Sequence, residues 1–122
     1  KNDFYYLWGE HKTNSGKAYT LWSPIPNLYP NSRPPLYIHS PNPLWGFGYR
    51  QTINSYNLSH AMHTLNNGPN SEVQICHWRD DRWHSAITLD KVMIKAVLWL
   101  EAYEQHLSTG EPINTFVGTM TV

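Results

Sequence analysis

An internal disulfide is excluded in this chain, because it holds a single cysteine, Cys76. A surplus of charge is missing too. Nine Lys and Arg balance nine Asp and Glu, so no sequence-wide field draws the chain to nucleic acid or a membrane. Binding to phosphate backbones relies on a basic excess that releases counterions, and none is present. No apolar run approaches the ~18–20 residues that span a bilayer. No charged start followed by an apolar stretch reads as a secretion signal. The expectation is a cytoplasmic protein without nucleic-acid or membrane partners and without a cofactor. The chain opens on Lys1 rather than methionine, as a trimmed chain would. Repeats and low-complexity tracts are also lacking, and 122 residues suit one domain with one core, residues 1–122. Aromatics are plentiful. Six Trp and eight Tyr should lie mostly in a core or an interface.

The aromatic run within Asp3 to Glu10 reads as a strand, and Thr13-Asn14-Ser15-Gly16 as a turn. A second strand is expected over Ala18 to Ile25, with Tyr19, Leu21 and Ser23 on one side and Thr20 and Trp22 on the other. Pro24, Pro26, Pro30, Pro34 and Pro35 then forbid a central strand or a helix interior. Leu36 to His39 reads as a third strand, spaced for an antiparallel meander. Ser40 to Ser71 shows no regular element. The clearest signal comes late. Thr88 suits an N-cap, Asp90 the first turn and Gly110 a left-handed C-cap. Between them Leu89, Val92, Met93, Ala96, Val97, Leu100, Tyr103 and Leu107 form the apolar face of an amphipathic helix. Lys91, Lys95, Glu101, Glu104 and Gln105 are left to water. The tail from Glu111 to Val122 reads as β-prone or irregular.

Cys76 lies between the meander and this helix, in the stretch Ile75-Cys76-His77-Trp78-Arg79-Asp80-Asp81-Arg82-Trp83-His84-Ser85-Ala86-Ile87-Thr88-Leu89. An apolar residue precedes the cysteine, a charged turn follows, and Trp83 comes seven residues later. Upstream, Tyr19-Thr20-Leu21 and Pro24-Ile25-Pro26 lead into Tyr29-Pro30-Asn31-Ser32-Arg33-Pro34-Pro35. In order and spacing these segments resemble the ubiquitin-conjugating family, over about Tyr19 to Leu107. The ending Trp99-Leu100-Glu101-Ala102-Tyr103-Glu104, followed by His106-Leu107 and Thr109-Gly110, is similar to the divergent bacterial branch.

The resemblance implies an α+β ubiquitin-conjugating (UBC-like) fold: an antiparallel meander packed against a C-terminal helix, with the cysteine in a long loop between them. It implies a transferase that accepts a ubiquitin-like protein from an activating enzyme as a thioester on Cys76. The modifier then passes to an amine on a target protein or signalling enzyme. The implied setting is a bacterial conjugation operon, in some cases one for anti-phage defence. Cys76 is the expected nucleophile, with His63 and then Asn66 as its supporting base or oxyanion donor. His60, His77 and Asp80 are further supporting candidates, and Asn67 is an alternative to Asn66. A free thiol is only a few per cent ionised at neutral pH, so neighbouring groups must help it. Two departures stand out. The family's His-Pro-Asn motif is absent, His63-Thr64-Leu65-Asn66 being the nearest approach, and the family's initial helix is expected to be missing, since the aromatic strand starts at Asp3.

Three rivals remain. The chain is otherwise an inactive module of the same fold that grips ubiquitin-like proteins, a thiol hydrolase built on Cys76 and a histidine, or a metal site of Cys76, His77, His60 and His63. Trp78 and Trp83 are expected to pack around the cysteine loop, and Pro34 and Pro35 to shape a turn.

Overall fold

The computed structural model describes residues 5–56, 62–78 and 82–117. Alternating side chains set the sheet. In β2 (Ala18–Pro24) Tyr19, Leu21 and Ser23 are buried while Thr20, Trp22 and Pro24 are only partly covered. This is the period-two pattern of a strand with one face on a core. Its hairpin partner β1 (Tyr6–Lys12) pairs antiparallel from Tyr6 opposite Pro24 to Lys12 opposite Ala18. The turn between them closes with the Gly16 amide donating to the Thr13 carbonyl at 2.8 Å. Gly16 has φ +91°, a conformation that glycine takes without steric cost.

The third strand, β3 (Tyr37–Ser40), pairs antiparallel with β2 once the prolines end. Two short strands lie in or just beyond the stretch without a sequence signal. β4 (Thr64–Leu65) and β5 (Val73–Ile75) pair antiparallel, and β5 docks on β3. Among the described residues the five strands make one antiparallel sheet in the order β1-β2-β3-β5-β4. Among the described residues, three short 3-10 turns, Phe47–Tyr49, Ile53–Ser55 and Pro69–Ser71, punctuate the rest of that stretch.

Helix α1 (Leu89–Thr109) starts and stops at the expected residues. Gly110 is left-handed, φ +81°, and its amide donates to the His106 carbonyl at 2.8 Å. Thr88 occupies the N-cap, but its hydroxyl bonds the Asp90 carboxylate rather than a backbone amide. The helix covers one face of the sheet. Val92, Ala96, Trp99, Leu100 and Tyr103 form one apolar cluster with Tyr19, Leu21, Ile38, Val73 and Ile75. Burying each of the larger ones contributes about 1.5–3 kcal/mol. Trp99 and Tyr103 stack at 5.5 Å, and Tyr19 meets Tyr103 edge-on. On the other face Trp22 contacts the rings of Trp8 and Tyr37, and its Nε1 donates to the buried Glu72.

Glu104 fastens the β1–β2 turn to the helix by accepting hydrogen bonds from Thr13, Ser15 and Tyr19, each at 2.8 Å. Burial alone would raise its carboxyl, but these bonds and Lys17 hold it below the usual carboxylate range.

Two expectations are corrected. Lys95 is not in water but only 8 % exposed. It falls three residues after Val92 and four before Trp99, on the buried stripe of α1. The tail is not β-prone where it is described: α2 (Ile113–Val117) follows Pro112 and buries Ile113 and Val117 against the core. Proline suits such a helix start, since it has no amide to leave unpaired. His106, without a role in the sequence pattern, is buried at the joint between the helices. Its Nδ1 donates to the Glu111 carbonyl at 2.8 Å, and its Nε2 accepts the Phe47 amide at 3.1 Å.

Candidate active site

Cys76 is the first residue past β5. Its amide donates to the His63 carbonyl at 2.9 Å, which continues the pairing of Thr64 with Ile75 by one step. The step sets Cys76 opposite His63. The side chain is half-buried, and Sγ lies 3.9 Å from the Trp78 carbonyl oxygen.

His63 departs from strand geometry. Its φ of +52° lies in the left-handed region, which costs a residue with a β-carbon about 1–2 kcal/mol. Its neighbours hold it there. The carbonyl of Met62 accepts the Trp99 indole at 3.1 Å, and the carbonyl of His63 accepts the Cys76 amide. On the ring, Nε2 lies 2.6 Å from Oδ1 of Asn114 in α2.

Lys95 reaches the site from α1, with Nζ 3.9 Å from the centroid of the Trp78 ring. Burial lowers its pKa, and the charge of Cys76 pulls it back up. That attraction is mutual, favouring ammonium on Lys95 and thiolate on Cys76. A cation beside a partly exposed cysteine is a setting in which thiols ionise. Arg33 adds a second positive group by donating to the Trp78 carbonyl.

His77 belongs to the wall of the site. It is 3 % exposed and its Nε2 donates to the Pro34 carbonyl at 2.7 Å. Burial pushes its pKa down to about 4, aided by Arg33 and Lys95 and opposed by the Pro34 bond. Its ring meets Trp78 and Trp83 edge-on, and Trp83 Nε1 donates to the Pro30 carbonyl at 2.9 Å. The proline-rich turn and the cysteine loop are thereby joined. Trp78 and Trp83 pack around the cysteine loop as the sequence predicts.

No family model, curated protein or solved structure matches this chain.

The geometry therefore sorts the candidates by itself. It sets the backbone of Cys76 against that of His63 and engages His77 as a donor to the Pro34 carbonyl. Asn66 is not brought to the cysteine. The β4–β5 register sets it opposite Val73, three residues or about 10 Å along the strand from Cys76. There it is exposed, and its carbonyl accepts the Gln74 side chain at 2.8 Å. His60 and Asp80 lie outside the described residues. Among the described residues no group of three or more His, Cys, Asp or Glu side chains could hold a metal ion. No described helix is long and apolar enough to cross a membrane.

Two residues escaped the sequence reading. Lys95 was detectable as a charge in the middle of an apolar helical stripe. Asn114 had a weaker signal: it lies inside Ile113, Phe116 and Val117, spaced as one face of a short helix after Pro112.

Proposed function

We propose that this chain is a ubiquitin-conjugating-like transferase with Cys76 as its thioester carrier. The antiparallel meander with a helix across one face supports reading the domain as UBC-like. The observation that carries the proposal is the setting of the one cysteine. It sits half-exposed just past a strand end, beside a buried ammonium and opposite a histidine held in a costly conformation.

In this reading a ubiquitin-like protein arrives as a thioester on an activating enzyme. The Cys76 thiolate attacks the carbonyl carbon, a tetrahedral oxyanion forms, and the activating enzyme's thiolate leaves. Lys95 supplies positive charge, which stabilises the attacking thiolate and favours the developing oxyanion. In the second transfer an amine of the target attacks the same carbonyl, Cys76 departs as thiolate, and His63 takes the proton that the amine loses. The proposed setting is the bacterial cytoplasm, in a conjugation or anti-phage operon, with a protein or signalling enzyme as target.

A non-reducing gel tests the proposal. The purified chain is incubated with ATP, an adenylating enzyme and a ubiquitin-like protein from the same operon. A thiol-sensitive adduct that disappears in Cys76→Ala supports catalysis. Binding of the modifier without such an adduct identifies an inactive module of the same fold instead.

A further inference from the structure

We infer that the sheet face turned away from α1 binds a small soluble quaternary ammonium compound, held on an aromatic platform over the buried carboxylate of Glu72. Five rings from three adjacent strands make the platform. The ring centre of Trp22 lies 5.8 Å from that of Tyr6, 5.9 Å from that of Trp8 and 5.2 Å from that of Tyr37. His39 meets Trp8 edge-on at 5.5 Å. No described helix covers these rings, and Tyr6 and Trp8 are 52 % and 56 % exposed. A contiguous exposed cluster of large rings marks a binding surface.

The charge on this face selects the occupant. Glu72 is only 2 % exposed, and its two oxygens are taken by Trp22 Nε1 and, at 2.8 Å, by His39 Nδ1. Among the described residues no Lys or Arg pairs with it. Its charge reaches the rings: burial first and Glu72 second raise the pKa of Tyr37. Glu10, exposed and on the same side of β1 as Trp8, adds to the negative field. A cation resting on these rings gains from their quadrupoles and from that field. The carboxylate oxygens are nevertheless out of reach, so the platform attracts positive charge without offering an acceptor for N–H donors. A primary ammonium or a guanidinium would give up hydrogen bonds to water there, whereas a quaternary ammonium has none to lose. A lipid phosphocholine group would bring its phosphate against Glu10, which favours the free compound.

The test titrates the full chain at pH 8 with choline, with its uncharged carbon analogue dimethylbutanol and with ethanolamine, following the indole 1H–15N signals of Trp8 and Trp22. Choline should shift both signals saturably and bind about fivefold or more tighter than either control, the weight of one cation–π contact. Trp8→Ala should weaken choline by about the same factor. Glu72→Gln should weaken choline and leave dimethylbutanol unchanged. Should Glu72→Gln not fold, the half-exposed Trp8 and the two control compounds decide the matter. Equal binding of choline and dimethylbutanol reduces the face to an apolar patch, and equal binding of ethanolamine removes the quaternary selectivity. Either result overturns the inference, as does a titration without saturable shifts. Attachment to phosphatidylcholine vesicles that free choline fails to displace contradicts it too. None of these readouts involves Cys76, so failure of the conjugation reading is seen separately.

Discussion

Lys95 holds its ammonium 3.9 Å from the centre of the Trp78 ring, and the carbonyl oxygen of the same tryptophan lies 3.9 Å from the sulfur of Cys76. One aromatic residue thus brings a buried cation and a thiol into a single electrostatic unit. Replacing Lys95 with Met should slow Cys76 alkylation at pH 7 by about tenfold, the effect of roughly one pKa unit. Lys95→Arg should keep most of the rate. Lys95→Met should also leave the melting temperature unchanged or raised, since an apolar side chain suits that stripe better than a desolvated charge. Alkylation rates and thermal melts of the two variants check this.

His77 makes folding sensitive to mild acid. The buried ring stays neutral down to about pH 4, whereas the unfolded chain takes up that proton near 6.5. Between these values the unfolded state binds more protons, so stability is full above about 6.5 and lost as pH falls toward 4. The span corresponds to about 3 kcal/mol. Urea denaturation at pH 7 and pH 4.5 should show most of that loss in wild type. In His77→Gln the slope in this window should flatten.

Glu104 acts at lower pH. Its carboxyl is held below the usual range, so its contribution is present above the ordinary glutamate pKa and lost as pH falls from there through the lowered folded value. Glu104→Ala removes the acceptor of three hydrogen bonds and should cost about 2 kcal/mol at pH 7. Detachment of the β1–β2 turn should appear as faster amide exchange at Thr13 to Lys17.

Thr13, Tyr19 and Gly110 show how much the sequence carried. The alternation through Tyr19, Leu21 and Ser23 placed β2, and the cap residues Thr88 and Gly110 placed α1, because strand period and helix termini are local properties. The antiparallel order of the first three strands was legible for the same reason. β4 and β5 were not. Two- and three-residue strands are too short to show a period, and they exist because β3 offers an edge. The site divides likewise. Motif order singled out Cys76, His63 and Asn66, and the register sets the backbone of His63, not that of Asn66, opposite Cys76, because register rather than sequence distance decides what lies across from the cysteine. Lys95 and Asn114 come from helices brought in by tertiary packing, which no local pattern around Cys76 encodes.

Gly110 and Gly16 offer a matched pair. Both have positive φ, but a β-carbon on Gly110 would lie 3.2 Å from the Phe47 ring, while one on Gly16 meets nothing within 4 Å. Gly16→Ala should therefore cost about 1 kcal/mol, the backbone strain alone. Gly110→Ala should cost about 2 kcal/mol or more, because Phe47 must also move. Denaturant midpoints of the two variants measure the difference.

The most direct test of the account replaces sulfur by oxygen at the reacting position. Cys76→Ser, incubated with activating enzyme, ATP and the operon's ubiquitin-like protein, should gain the mass of one modifier less one water. That adduct should resist dithiothreitol, yield to hydroxide and map by peptide mass to residue 76. The wild-type adduct at the same residue should be dithiothreitol-sensitive. Modification elsewhere, or an unmodified chain in both forms, would contradict the assignment of Cys76 as the carrier.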